Sequence, residues 1–97
     1  MKKCNTLEEL RSEIDTLDTE LVELISQRTH LIRQAAAFKN SVDEVKAEER
    51  INFILARVRH KAISLGVNPN MISELFVTMI DEMVETEISE YRNADTF

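Results

Sequence analysis

The sequence has very few of the residues that form turns and end helices. It contains one glycine, one proline and no tryptophan in 97 residues, and only 5% are aromatic. Hairpins and sandwiches of β-strands need frequent turn residues, so this scarcity argues against a β-rich fold and predicts a helical one. The single cysteine, Cys4, cannot form an internal disulfide, and no other Cys or His cluster has metal-site spacing. We therefore expect an all-α protein that uses no metal.

Long hydrophobic runs and an excess of positive charge are also missing. No apolar run approaches the ~18 residues of a membrane span. Residues 1–20 lack the apolar core of a signal peptide, so we expect a cytoplasmic protein with no membrane contact. Twelve Lys and Arg against 18 Asp and Glu give a net charge of -6, which disfavours nucleic acid as a partner. Any site that binds an anion must therefore be a local exception to the negative charge of the whole chain.

The residues that are present suit one small globular domain covering 1–97. Hydrophobic residues make up 43% and charged residues 31%, which is ordinary for a folded, soluble chain. A chain of 97 residues buries only a limited fraction of its surface, so a monomer would be marginally stable. Stabilisation by a second chain is therefore expected.

The first helix is predicted over residues 6 to 38. It begins at a capping box, in which Thr6 accepts from the Glu9 amide and the Glu9 carboxylate reaches back to the Thr6 amide. Its seam positions alternate in spacing between three and four, as in a coiled coil: Leu7, Leu10, Ile14, Leu17, Leu21, Leu24, Arg28, Leu31, Ala35 and Phe38. Such a helix is ~50 Å long, whereas the domain has a radius of gyration of ~13 Å. Its apolar seam needs a second chain, which predicts a homodimer.

Two further helices follow the polar cluster at residues 40–43. The second is predicted from about Ala47 to Leu65, with Gly66 as the residue just beyond its end. Its apolar face is formed by Ile51, Ile54, Leu55, Val58, Ala62 and Leu65. Asn68 and Pro69 are typical of the N-cap and first position of a third helix, which is expected to fray from Asn93 onward. The apolar face of this third helix is formed by Ile72, Leu75, Phe76, Met79, Ile80, Met83, Val84, Ile88 and Tyr91, and Met71 is also expected in the core.

Three charged residues occupy places where the pattern favours apolar ones. Arg28 lies in the seam, Glu87 lies on the apolar face of the third helix, and Lys39 follows Arg28 by three helical turns. Each has a structural interpretation: Arg28 as a register device paired across a coiled coil, Lys39 as a helix-end cation, Glu87 as a satisfied carboxylate. Arg11 and Arg50, taken singly, are solvated helix charges. Together, several inward-facing cations in an acidic chain favour a small anionic ligand.

The spacing of Arg11 and Arg28 constrains any site that uses both. They are 17 residues apart on one helix, about 26 Å, so one chain cannot bring them to the same small ligand. In an antiparallel pair of first helices, Arg11 of one protomer can lie beside Arg28 of the other. A shared site across a dimer interface would result.

The order of these residues resembles the AroQ-type chorismate mutases and their relatives, the isochorismate-pyruvate lyases. The matching segments cover nearly the whole chain: Leu10-Arg11-x-x-Ile14-Asp15-x-x-Asp18, Gln27-Arg28, Phe38-Lys39, Val45, Glu49-Arg50, Gly66, and Leu75-Phe76 leading to Glu87. The resemblance implies three helices per chain, an intertwined homodimer with two identical sites, and a small dicarboxylate substrate.

The resemblance also implies a role for each charged residue. Arg28, and Arg11 of the neighbouring protomer, look like the guanidinium groups that take the two substrate carboxylates. Lys39 resembles the cation that contacts the ether oxygen and a carboxylate, and Arg50 the arginine that helps to order the loop and the substrate side chain. Glu87 falls where the family commonly has Gln, facing the ether oxygen. The rearrangement of chorismate to prephenate needs no cofactor, only a held conformer and fixed donors.

At three substrate-binding positions the chain departs from the mutase pattern. Ala47 replaces an Asp, Ile51 replaces a carboxylate expected to bind the ring hydroxyl, and Met83 replaces a small polar residue. The ring end of the pocket is therefore expected to be less polar, which leans toward the lyase branch. Chorismate mutase is the leading hypothesis. A lyase acting on isochorismate, a 4-amino-4-deoxychorismate mutase and a non-enzymatic helical dimerisation module remain as alternatives.

Overall fold

The computed structural model describes residues 3–38 and 47–95, and over these residues it contains three α-helices and no strand. Helix α1 spans Leu7–Ala36, α2 spans Glu48–Ser64 and α3 spans Pro69–Asp95. The predicted all-α class and the order of the three helices are confirmed. The first two helices end one or two residues earlier than predicted, which is within the usual uncertainty of helix ends.

The end of α3 differs from the prediction. Fraying was expected from Asn93 onward, but the helix continues to Asp95. After Pro69 the sequence contains neither glycine nor proline, so no residue stops the run of i to i−4 hydrogen bonds. Polar character alone was the wrong signal for a helix end.

The capping box at the start of α1 is present in a modified form. The Glu9 amide donates to Thr6 Oγ1 at 3.1 Å, as predicted. The Glu9 carboxylate accepts from the amide of Asn5 at 2.8 Å, whereas the Thr6 amide was the predicted donor. The side chain thus reaches one residue further out, to an amide of the non-helical segment before the cap. The bond to Thr6 thus occupies a backbone donor that the first turn leaves free, and the bond from Asn5 occupies an amide just before the cap.

The chain forms two compact units, Met1–Leu31 and Ile32–Phe97. In the first unit, none of the described residues is buried, although α1 carries a regular apolar seam there. The exposed fraction is 47% for Ile14 and 55% for Leu21, and the other large seam residues before Arg28 are exposed as well: Leu7, Leu10, Leu17 and Leu24. The predicted helix is confirmed, and its apolar seam is uncovered in the single chain.

The second unit contains a hairpin of α2 and α3, which pack against each other. Its buried apolar residues are Ala36, Ala62, Ile80 and Ile88. Half-buried residues extend this core along both helices: Ile51, Ile54, Leu55, Val58, Ile72, Phe76, Met79, Met83 and Val84. The side chain of Tyr91, which was predicted on the same face, lies outside the described part of the chain.

Three residues that were predicted in the core are exposed in the structure. Leu65 is 66% exposed, Leu75 is 55% exposed and Met71 is 46% exposed. A helical period of 3.6 marks an apolar stripe, but the facing helix covers only part of it. These side chains project beyond the strip that the hairpin covers, so they are exposed in the single chain.

The turn between α2 and α3 follows the predicted cap residues. Gly66 has φ 72, a left-handed conformation that favours glycine. The Val67 amide donates to the Ala62 carbonyl at 2.9 Å and the Gly66 amide donates to the Ile63 carbonyl at 3.1 Å, which together form a Schellman motif. Asn68 then caps α3 by accepting from the Asn70 amide at 2.9 Å. Because the connection is this short, the two helices run antiparallel.

Candidate active site

Arg11 and Arg28 both lie on α1, in the first unit. Arg11 is exposed and Arg28 is half-buried. The helix between them is uninterrupted, so their separation of 17 residues corresponds to about 26 Å along its axis. Helix α1 therefore keeps these two guanidinium groups apart within one chain, as their spacing predicted.

The remaining described site residues lie at one end of the hairpin in the second unit. Ile51 is 13 residues before the end of α2 at Ser64, and Met83 is 14 residues after the start of α3 at Pro69. At about 1.5 Å per residue, both lie about 20 Å from the turn. Both side chains are half-buried. The antiparallel course of the helices thus puts these two apolar residues at the same height.

Ala47 and Glu87 belong to the same end of the hairpin. Ala47 is the N-cap residue of α2, is half-buried, and provides no side-chain hydrogen bond to the first turn. Glu87 lies one helical turn beyond Met83 on α3, and its side chain is outside the description. Lys39 lies outside the described residues altogether. The site therefore has an apolar, half-buried portion at the start of α2.

Arg50 is exposed in the first turn of α2, beside the ring of Phe53. Its guanidinium carbon lies 5.4 Å from the ring centroid, within the range of a cation–π contact. Phe53 was not among the predicted site residues. The signal that could have identified it is its spacing of three from Arg50, which brings two side chains together on a helix.

A second residue that was not predicted is the half-buried cation Arg59 on α2. It donates from Nη1 to the carbonyl of Pro69 at 3.2 Å and to Oδ1 of Asn70 at 3.1 Å. These bonds tie the first turn of α3 to α2. Arg59 lies 8 residues, about 12 Å, from Ile51 along α2, and its bonds to the first turn of α3 give it a structural role near the turn of the hairpin.

An open apolar groove of about 210 Å³ lies near the Gly66 end of the hairpin. It is lined by Val58, Lys61, Ala62, Leu65, Val67, Ile72 and Phe76. The surface that lines it is hydrocarbon, and none of the predicted catalytic residues is among the lining residues. The groove is therefore not a candidate catalytic site. Its position at the far end of the hairpin separates it from the candidate site.

Among the described residues there is no second candidate for a catalytic or metal-binding site. His30 and His60 are exposed, and Cys4 is a free, half-buried thiol. Over residues 3–38 and 47–95, no group of three or more His, Cys, Asp or Glu side chains is arranged to hold a metal ion. Within the same ranges, no helix has both the length and the apolar character needed to cross a membrane.

Comparison with known proteins identifies the family. The model of the chorismate mutase type II family matches residues 10–88, and this range includes all five predicted catalytic positions. The chain belongs to the chorismate mutase type II family. This confirms the resemblance to AroQ-type mutases that the sequence motifs indicated.

Individual relatives of this family member include both mutases and a lyase. The isochorismate pyruvate lyase of Pseudomonas aeruginosa is 26% identical over 89 residues, covering 92% of this chain and 88% of that protein. The chorismate mutase of Methanocaldococcus jannaschii is 29% identical over 76 residues, covering 77% of each chain. The T-protein of Haemophilus influenzae is 31% identical over 88 residues, which is 90% of this chain but only 23% of that longer protein.

Proposed function

We propose that this chain is a chorismate mutase, an isomerase that converts chorismate to prephenate. The observation that carries the proposal is the family match over residues 10–88, which spans every charged residue of the candidate site. A relative named as a chorismate mutase, aligned over 77% of both chains, supports the same activity. We propose that residues 1–97 act as one functional domain and work in the cytoplasm, in shikimate-pathway metabolism.

We further propose a homodimer with two shared sites. The exposed seam of α1 supports it, because a row of large apolar side chains in water is unfavourable and a second copy offers the matching surface. The 17-residue separation of Arg11 and Arg28 supports it as well. In an antiparallel pair of α1 helices, Arg28 of one protomer and the partner subunit's Arg11 would contact the same substrate.

The proposed mechanism uses restraint and electrostatics. Chorismate rearranges in one pericyclic step, in which the ether C–O bond breaks while a C–C bond forms and negative charge grows on the ether oxygen. Arg28 and the partner subunit's Arg11 hold the two carboxylates, and Arg50 helps to order the enolpyruvyl side chain in the folded conformer. Lys39 and a protonated Glu87 donate to the ether oxygen, where fixed donors stabilise the transition state. The reaction needs no nucleophile and no cofactor.

A second candidate function is the lyase reaction on isochorismate. It is favoured by the alignment with a relative named isochorismate pyruvate lyase, which covers 92% of this chain and 88% of that protein. The half-buried, apolar side chains of Ile51 and Met83, together with Ala47, support a ring end that makes few hydrogen bonds to a ring hydroxyl. On this alternative the same cations would hold the carboxylates of isochorismate.

One experiment separates these functions. The purified protein is incubated separately with chorismate and with isochorismate, and the products are identified by mass spectrometry. Prephenate from chorismate is the expected result, whereas salicylate and pyruvate from isochorismate would favour the lyase. An Arg28→Ala variant serves as the control for contaminating activity. If neither substrate reacts faster than with Arg28→Ala, the proposal is wrong, and a 4-amino-4-deoxychorismate mutase or a helical dimerisation module takes its place.

A further inference from the structure

The aromatic residue beside Arg50 has no role in the core of the hairpin. Phe53 is 56% exposed, whereas the apolar-face residues of α2 in the neighbouring turns, Ile51, Ile54 and Leu55, are half-buried. The contact that the structure gives its ring is the guanidinium group of Arg50, 5.4 Å from the ring centroid. Side chains of helical residues lean toward the N-terminus, so a ring at position 53 naturally covers the side chain three residues earlier.

The helical neighbours of Arg50 make this contact unusual for a surface arginine. Surface arginines on helices commonly pair with a carboxylate three or four residues away. Among the described residues at these spacings from Arg50, which are Ala47, Phe53 and Ile54, none is acidic. A carboxylate there would neutralise the guanidinium and compete with an anionic substrate. An aromatic face leaves the charge intact.

We infer that Phe53 is the positioning residue for Arg50: its ring holds the guanidinium in an orientation ready for the enolpyruvyl side chain of the substrate. The inference rests on the proposed function, in which Arg50 contacts the substrate. An arginine has a long, freely rotating side chain, and ordering it on binding opposes affinity. Stacking on a ring face restricts that motion, while the N–H groups at the edge of the planar guanidinium stay free to donate.

This role predicts a specific pattern in the kinetics of chorismate turnover. Phe53→Leu keeps an apolar side chain but removes the ring face, and it should raise KM by about two- to fivefold with little change in kcat. Phe53→Tyr keeps the face and should retain the KM of the parent protein. Phe53→Glu should raise KM more than Phe53→Leu does, because its carboxylate pairs with Arg50 in place of the substrate.

The double variant separates positioning from a general effect on structure. In an Arg50→Ala background, Phe53→Leu should produce no further change in kcat/KM, since the ring then has no guanidinium to hold. An equal change in both backgrounds would overturn the inference, and so would an unchanged KM in Phe53→Leu. The matched control is Ile63→Ala, which removes another exposed apolar side chain of α2 that is 63% exposed, and it should be neutral.

A spectroscopic measurement tests the contact independently of catalysis. The ring should shift the NMR signals of the Arg50 δ-methylene protons upfield, and Phe53→Leu should remove that shift while Ile63→Ala leaves it unchanged. Absence of the shift in the parent protein would overturn the inference even if turnover is normal. A parent protein that shows the shift but does not turn over chorismate would instead refute the proposed function.

Discussion

The N-terminal part of α1 and the α2–α3 hairpin have similar apolar periodicity but very different burial. In α1, the seam residues from Leu7 to Leu24 are all at least 47% exposed. In the hairpin, Ala62, Ile80 and Ile88 are at most 9% exposed, because each helix supplies the surface that covers the other. A periodic apolar pattern therefore reports that a helix face needs a partner. It does not report whether that partner lies in the same chain.

The same contrast applies to the charged residues of the candidate site. Arg11 and Arg28 lie on α1, in the unit whose apolar seam is uncovered, whereas Arg50 and Glu87 lie on the hairpin. If a second copy covers α1, it completes both the core and the set of cations. Assembly and catalysis would then depend on the same surface, and substitutions in the two regions should have different consequences.

The largest expected effect comes from the arginines of α1. Arg11→Ala and Arg28→Ala should each lower kcat/KM by on the order of 10²–10³-fold, because on the proposed mechanism each removes a charged donor to the substrate. A mixture of the two variants, unfolded and refolded together, should recover about a quarter of the parent activity, since one site of each heterodimer keeps both arginines. The measurement is the steady-state rate of chorismate loss.

Refolding each variant alone is the control for this complementation. It should give no recovery, because every site of either homodimer lacks one arginine. Heterodimers can be detected by native mass spectrometry with one variant isotopically labelled. If heterodimers form and activity stays at the level of the single variants, the shared site is wrong.

A matched pair of truncations tests the difference in burial directly. Ile80→Ala, in the hairpin core, should lower the free energy of unfolding by about 2–5 kcal/mol. Leu21→Ala should have an effect of the same size, about 2–5 kcal/mol, if a second copy buries the seam, and its Tm should then rise with protein concentration. Thermal unfolding monitored by circular dichroism over a hundredfold range of concentration provides both quantities.

Val22 supplies the control, because it is 66% exposed and lies off the seam. Val22→Ala should change the free energy of unfolding by no more than about 0.5 kcal/mol. A Leu21→Ala effect as small as that of Val22→Ala, together with a monomer in analytical ultracentrifugation at micromolar concentration, would remove the basis for the proposed dimer.

Glu87 gives a prediction for the hairpin side of the site. A protonated carboxyl donates to the ether oxygen, whereas a carboxylate repels the negative charge that grows there. kcat/KM should therefore fall as pH rises through the titration of Glu87, by about tenfold per pH unit at the alkaline limit. Glu87→Gln should remove this fall and keep substantial activity near neutral pH. A Glu87→Gln protein with the same alkaline fall, or one as inactive as Glu87→Ala, would contradict this role.

The smallest expected effect is at the turn of the hairpin. Gly66→Ala should lower the free energy of unfolding by about 1–2 kcal/mol, because Gly66 is left-handed and alanine is strained there. No atom lies within 4 Å of the added Cβ, so the strain is confined to the backbone. Gly66→Asn should have a smaller effect, since asparagine tolerates this conformation better. Equal losses for the two variants in urea denaturation would contradict this account.

Local chemistry explains which features could be predicted from the sequence. The Schellman turn at Gly66 and the cap at Asn68 depend on residues within one turn of the helix end, so the sequence alone was sufficient. The partner predicted for the Glu9 carboxylate was wrong by one residue, since the carboxylate accepts from the Asn5 amide and not from the Thr6 amide. The family assignment also followed from the order of the charged residues along the chain.

Tertiary packing explains which features could not be predicted. Leu75 and Met71 fit the period of α3, but the crossing of α2 over α3 decides which part of that stripe is covered. Arg59 has no local signal, because its bonds to Pro69 and Asn70 depend on how the hairpin closes. Phe53 was missed for another reason: an exposed ring contributes to no periodic pattern. The roles of Lys39 and Glu87 remain predictions.

The four-residue connection between α2 and α3 has a consequence for the order of folding events. Its ends at Ser64 and Pro69 are close in sequence, so closing this loop loses little chain entropy. Structures dominated by such local contacts form on timescales of about microseconds to milliseconds. That step is unimolecular, and its rate should not depend on protein concentration. Covering the α1 seam with a second copy would be a bimolecular step. In dilute solution the hairpin would therefore close before the dimer forms.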